Sequence, residues 1–266
     1  MAITNFVNAV MADGPVGYWR LGEPTDSSGG PWITKDASGK GNDGNVIGGF
    51  PEITFGQPGF RGGIISRTPG GDTAALFNGT KGRIIVLNSI SLNPSPHLTM
   101  EAIVRWDGPN TYNQRILEKS SYPGLAQYSL QILPDGHIQV ELRTGDDTSA
   151  TAQSNARVVQ GVWRHIAATY EGSNIQIYIN GGSDSQTLTT PATGTLSTKQ
   201  PTPANLIESG VGIGNETQRD RPFNGLIDEV ALYPTALSGP QILAHYESQF
   251  LRLVPKPRPV PKRPRK

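Results

Sequence analysis

The chain contains no cysteine. Neither a disulfide framework nor a thiolate-ligated metal centre is therefore available, and stability has to come from packing, association or a hard cation held by oxygen. Long apolar runs are also missing, since no segment approaches the ~20 apolar residues of a membrane span, so no membrane insertion is expected. A secretion leader is not expected either. Met1 to Met11 has no basic start, and Ile3, Phe6, Val7 and Val10 are spaced three and four apart, as in an amphipathic helix. Histidine is scarce: His97, His137, His165 and His245 are scattered and adjoin no Ser or Cys nucleophile signature. His165, following Trp163 in an apolar segment, reads as a hydrogen-bonded structural histidine. Phosphate loops are absent too, because Gly48-Gly49 and Gly62-Gly63 lack the helix that a phosphate cradle requires.

Charged residues make up only 17%, whereas Gly (32) and Pro (22) are plentiful among the 266 residues. That is the balance of a turn-rich all-β protein. Short alternating segments are punctuated by Gly, Pro, Asn or Asp: Val16 to Leu21, Ala74 to Phe77, Arg83 to Val86, Leu98 to Trp106, Arg115 to Glu118, Tyr128 to Leu133, His137 to Leu142, Trp163 to Tyr170, Asn174 to Ile179, Val211 to Ile213 and Leu226 to Leu232. Pro134-Asp135-Gly136 predicts a tight hairpin between two of them. Residues 22–49 read as loops and residues 183–206 as a long excursion. Ser238 is placed to cap a helix over 239–249, with Ile242, Leu243, Tyr246 and Phe250 on one face. The expected architecture is an antiparallel two-sheet jelly-roll sandwich over 13–250, preceded by a helix at 1–12 and followed by a basic proline-rich tail at 251–266.

Several signatures occur in a telling order: Tyr18-Trp19-Arg20-Leu21-Gly22-Glu23, Asp36-Ala37-Ser38-Gly39-Lys40-Gly41-Asn42-Asp43-Gly44, Leu76-Phe77-Asn78-Gly79, Leu98 to Val104, Gly161 to Tyr170, Ile175 to Gly181 and Pro222 to Ser238. Together they resemble a laminin-G-like, concanavalin A-type jelly roll over nearly all of 13–248. The pairing of Phe6-Val7-Asn8-Ala9-Val10 with Asp13 to Leu21 is similar to minor tail proteins of bacteriophages. The resemblance implies a non-enzymatic virion protein that touches host-surface glycan or neighbouring subunits, and without a secretion signal its release would take another route, of which cell lysis during phage production is one. A free lectin or accessory module of a glycan-active enzyme is the alternative, and capsid decoration a third. It further implies a structural calcium where the Asp-rich loop meets the penultimate strand, held by Asp36, Asn42 or Asp43, the Gly44 carbonyl and Asp228. The same residues can instead form Asx turns and accept backbone amides.

Catalysis fares poorly in the sequence. Glycosidic hydrolysis needs two carboxylates facing one sugar bond. Asp228 and Glu229 are adjacent, which predicts opposite faces of a strand, and Glu101 stands alone in its segment. For glycan stacking, Trp32, Trp106, Tyr112 and Tyr122 lie in or beside expected loops, where a lid on the core is the competing role. Trp19 and Trp163 are expected in the core.

The net charge of +1 conceals an asymmetry: residues 251–266 carry seven Lys or Arg and no acid, leaving 16 basic against 22 acidic groups before them. Proline at every second position from Pro255 to Pro261 forces an extended backbone. Lys256, Arg258, Lys262, Arg263, Arg265 and Lys266 suit phosphate neutralisation, a solvated tail or docking on an acidic subunit. The acidic body and the lack of interleaved aromatics favour docking on other virion proteins over nucleic acid.

Overall fold

The computed structural model describes residues 5–25, 30–61, 64–65, 72–121, 125–145, 148–185, 193–197, 207, 209–217 and 221–250. Helix α1 (Phe6–Ala12) precedes β1 (Gly17–Trp19), β2 (Ile33–Thr34), β3 (Gly44–Ile47), β4 (Ile53–Pro58), β5 (Phe60–Arg61), β6 (Ile64–Ile65), β7 (Thr73–Asn78) and β8 (Arg83–Val86). A 3-10 turn at Ile90–Leu92 leads to β9 (Leu98–Trp106), β10 (Gln114–Ser121), β11 (Leu125–Ile132), β12 (His137–Arg143), β13 (Ser149–Arg157), β14 (Trp163–Tyr170), β15 (Ile175–Ile179) and β16 (Gly182–Ser183). β17 (Val211–Ile213), β18 (Asn224–Tyr233) and helix α2 (Gly239–Ser248) complete the described chain.

The strands form two antiparallel sheets. The first runs β16-β15-β14-β9-β18-β7-β4 with β1 beside β18; the second runs β13-β12-β11-β10-β17-β8-β3-β2, and β5 pairs separately with β6. Between the sheets lies the main core, with Trp19, Phe77, Met100, Val104, Ile177 and Leu232 from one side and Ile84, Leu117, Tyr128, Leu130, Val140 and Ile213 from the other. The first sheet is covered again on its outer face, where Tyr18, Ile103, Ala167, Ala231 and Tyr233 pack with Phe6 and Val10 of α1 and Ile242 of α2. β9 and β18 are thus buried on both faces, which explains why their sequences are apolar with almost no alternation.

The expected two-sheet sandwich is what forms. The 134–136 hairpin is present, with the Gly136 amide donating to the Leu133 carbonyl at 2.9 Å and Gly136 at φ +92°. Gly225 sits inside β18 at φ +141°, and a Cβ there would lie 2.0 Å from the Arg105 carbonyl oxygen, so glycine is what lets β18 lie against β9. Some expectations are corrected. Residues 22–49 contain β2 and β3 rather than loops alone, and β4 and β13 carried no strand signal. The buried face of α2 is Ile242, His245 and Ser248, whereas Leu243 and Phe250 are about four-tenths exposed. Ser238 does cap α2, its amide and hydroxyl both meeting Gln241 Oε1 at 3.0 and 2.8 Å. Trp163 packs against Phe60 on the outer face of the first sheet and not between the sheets.

Candidate functional site

The Asp-rich loop is a hydrogen-bonded turn tied to the segment of β1 and to Ser89. Asp36 Oδ1 accepts the Tyr18 and Ser38 amides at 3.0 and 2.9 Å, and its Oδ2 accepts the Asn42 amide at 2.9 Å. Asp43 accepts the Asp36 amide at 2.9 Å and Lys35 Nζ at 2.6 Å. Asn42 donates to the Val16 carbonyl at 2.7 Å and accepts from Ser89 Oγ at 2.7 Å, while Gly44 is paired in β3. Of the ligand set implied by the resemblance, the loop members thus face N–H and O–H donors, while Asp228 is grouped with other carboxylates.

Those carboxylates are Asp72 and Glu229. The three carboxylates each place an oxygen within 4.8 Å of the others. Adjacent strand residues face opposite ways, but β18 bulges between Asp228 and Ala231 and Glu229 adopts φ +52°, which turns both acids to one side. This overturns the opposite-face expectation. Tyr18 donates to Glu229 Oε2, and Arg20 bridges Glu229 Oε1 at 2.9 Å and Asp72 Oδ1 at 3.1 Å. Asp228 Oδ2 accepts the Phe60 amide at 3.2 Å, whereas the fully buried Oδ1 meets no donor among the described residues. Burial, aided by the neighbouring Glu229 and Asp72 charges, pushes the Asp228 carboxyl well above the usual range; burial likewise moves Glu229 up to about 7 against the pull of Arg20. The oxygen-only donor set and the orphaned Oδ1 fit a hard cation.

A second polar assembly occupies the outward face of the second sheet. Period-two alternation sends Tyr128, Leu130, Ile138, Val140 and Leu142 into the core and turns Ser129, Gln131, Gln139, Glu141 and Arg143 outward. Arg115 is only 6% exposed here. It meets Glu118, Glu216 Oε1 at 3.0 Å, Glu141 at 4.0 Å and the side-chain oxygen of Gln131, which in turn donates to Gln139 at 2.6 Å. The chain after β17 folds back over Gly212 to deliver Glu216, which also pairs with Arg221 at 2.9 Å. Arg221 lies over the ring of Tyr112, 5.5 Å from its centre, and Tyr112 is 57% exposed. Buried polar groups are costly unless satisfied, and Gln127, in the same outward register and fully buried, has both side-chain atoms unmatched among the described residues.

Of the other residues singled out by sequence, Trp32 is 56% exposed at the β2 edge, but Trp106 is buried in the core and offers no platform. Tyr122 and the tail residues Lys256, Arg258, Lys262, Arg263, Arg265 and Lys266 lie outside the described residues. Glu101 is not isolated: fully buried, it joins His165 Nε2 at 2.5 Å, His245 Nδ1 at 3.1 Å and the Tyr233 hydroxyl at 2.7 Å. His245 Nε2 reaches Asp13 at 2.9 Å. Arg115 and Glu216 were missed by sequence reasoning, because they stand 101 residues apart and only the alternating polar positions of β10 to β12 hinted at such a face.

A family model described as the concanavalin A-like lectin/glucanases superfamily matches residues 78–243. No curated protein matches the sequence. Among solved structures, the chain is similar to the binding domain of Paraclostridial Mosquitocidal Protein 1, with a TM-score of 0.63 at 17% identity over 90% of this chain and 53% of that one. It is similar to the ligand binding domain of botulinum neurotoxin serotype D in complex with N-acetylneuraminic acid, with a TM-score of 0.56 at 14% identity over 90% and 53%. Domain 4 of a GH43 extracellular arabinanase from Geobacillus stearothermophilus, in complex with arabinotriose, gives 0.54 at 18% identity over 87% of this chain and 98% of that domain. The chain spans about half the length of the toxin chains, 53% in both cases, and at these identities the likeness is one of fold. A family match over most of the two-sheet sandwich decides the identity, and the chain belongs to the concanavalin A-like lectin/glucanase superfamily.

Proposed function

We propose that this chain is a non-catalytic glycan-binding module that holds sugar on the outward face of its second sheet, with Tyr112 as the stacking platform. The carrying observation is the exposed ring of Tyr112 on the same face as the part-exposed Gln139 and Glu141, polar side chains held from beneath by the buried Arg115, Glu118, Gln131 and Glu216. The arabinanase domain, seen with arabinotriose and spanned by this chain over 98% of its length, supports the reading. Hydrolysis is disfavoured because the paired acids Asp228 and Glu229 are 0% and 3% exposed, leaving no room for a sugar bond between them. Titration of the purified chain with a panel of oligosaccharides is the test. Binding should appear and weaken about fivefold in Tyr112→Ala, a ring worth about 1 kcal/mol, with the melting temperature unchanged. A panel without any binder refutes the reading.

The address we propose is a phage particle, as a minor tail protein touching host-surface glycan or neighbouring subunits. The sequence resemblance of residues 6–21 and the basic tail support it. Purification with particles distinguishes this from a free lectin, and labelled micrographs distinguish tail from capsid.

The calcium expected from the resemblance is proposed for Asp72, Asp228 and Glu229 instead of the loop. When bound, the ion would supply the charge that Asp228 Oδ1 lacks. Millimolar calcium should raise the melting temperature, chelator should reverse this, and Asp228→Asn should abolish the response. No response in the unaltered chain would leave Asp228 as a buried neutral acid.

A further inference from the structure

We infer that Lys119 and Asn88 become joined by an amide crosslink, the lysine amine displacing ammonia from the asparagine side chain. Lys119 stands on β10 in the inward register of Leu117 and Tyr128 and is fully buried. Its Nζ donates to Asn88 Oδ1 at 2.6 Å and to the Ser209 carbonyl. Because a carbonyl bond is about 1.2 Å long, Nζ lies within about 3.8 Å of the Asn88 Cγ that it attacks. Groups held in place react from about 3 to 3.5 Å, so a small rotation of the lysine side chain suffices. Asn93 Nδ2 donates to the same Oδ1 at 3.2 Å and is itself anchored on the Ser89 carbonyl at 2.7 Å.

A lysine amine in water is a protonated cation with no lone pair to offer. Burial lowers that of Lys119 to about 7, so near neutral pH a large share is unprotonated and nucleophilic. The lone pair attacks Asn88 Cγ, and the charge that gathers on Oδ1 is met by the Asn93 amide already donating there. A proton passes from Nζ to Asn88 Nδ2, the Cγ–Nδ2 bond breaks, and ammonia leaves. One C–N bond forms as another breaks, so no oxidant or cofactor is consumed. The product keeps one N–H for the Ser209 carbonyl and carries no charge, which removes the cost of an ammonium in the core. Position gives the bond a use. Lys119, Val211 and Val86 stand in one row across β10, β17 and β8, and Asn88 follows two residues beyond. The crosslink spans the start of β17 and ties β8 to β10 in a chain that has no cysteine for a disulfide.

The purified full chain, weighed intact under denaturing conditions and then digested for tandem mass spectrometry, provides the test. The expected result is a mass one ammonia, about 17 Da, below that of the sequence, together with a branched peptide joining residues 88 and 119. A succinimide at Asn78-Gly79, Asn180-Gly181 or Asn224-Gly225 would lose the same ammonia, so the branched peptide is the deciding signal. Lys119→Arg and Asn88→Ala should each abolish it, and Asn93→Ala, which alters neither reacting group, should slow its appearance several-fold in freshly synthesised chain. The full mass without a branched peptide in the folded, unaltered chain overturns the inference, as does a loss of ammonia that persists in Lys119→Arg.

Discussion

Glu101 ties five separate parts of the chain together. On β9 it accepts from His165 of β14, His245 of α2 and Tyr233 of β18, and His245 extends the chain of contacts to Asp13 at the end of α1. Burial opposes ionisation of Glu101, but the hydrogen bonds from the two histidines outweigh it and hold the carboxyl well below the usual range. Burial likewise opposes the charge on His245, yet Glu101 and Asp13 raise it above its ordinary 6.5. A raised histidine contributes stability that is complete below about 6.5 and is lost as pH rises through the higher folded value; a depressed carboxyl contributes above about 4.5 and is lost only in strong acid. The melting temperature should therefore peak near pH 5 to 6 and decline towards alkaline pH, a slope that His245→Gln should flatten. Glu101→Gln, which leaves buried partners unmatched, should cost about 3 kcal/mol in a denaturant titration. The sequence announced His165 as structural through its apolar neighbours. It could not announce the rest, because Glu101 and His245 are 144 positions apart and only the fold brings them together.

At the level of elements, β18 decides where charge sits. Its bulge places a glutamate in the left-handed region, costing about 1 kcal/mol, and the ion pair with Arg20 together with the Tyr18 hydroxyl offsets that strain. In an ordinary strand alanine is preferred over glycine, but here the order should reverse. Glu229→Ala keeps the strain and loses the pair, so Glu229→Gly should be more stable than Glu229→Ala by about 1 kcal/mol, read from the two urea midpoints. Most strands were legible from alternation and turn residues, because one of their faces meets the core. β13 was not: Ser149–Arg157 buries only small residues such as Ala150 and Ala152, which carry almost no periodic signal. The bulge was illegible for a different reason. Nothing in Ile227-Asp228-Glu229-Val230 differs locally from a regular strand, and β1 and β9 impose the irregularity from either side.

For the whole molecule, charge is divided between an acidic body and a basic end. Residues 1–250 hold 16 basic and 22 acidic groups, and the seven cations beyond them have no acid among them. Deleting 251–266 should leave the melting temperature of the sandwich within about a degree, because proline at alternate positions keeps such a segment from adding a regular strand to a sheet, while particle association, if carried by the tail, should vanish and should weaken with salt in the full chain. A truncated chain that still assembles would reduce the tail to a solubilising extension.

Helices α1 and α2 lie together on the outer face of the first sheet, fastened through Asp13, Gln241 and His245, whereas the polar network faces away on the second sheet. Both described ends of the chain thus leave from the side opposite the proposed sugar. Mechanical load between an anchored terminus and a captured glycan would run straight through the sandwich, pulling one sheet from the other across an apolar layer instead of unzipping strands one bond at a time. The ionic latch of Asp13, His245 and Glu101 is in series with that load, so grip under tension should be firmest in mildly acidic surroundings and should slacken as they turn alkaline.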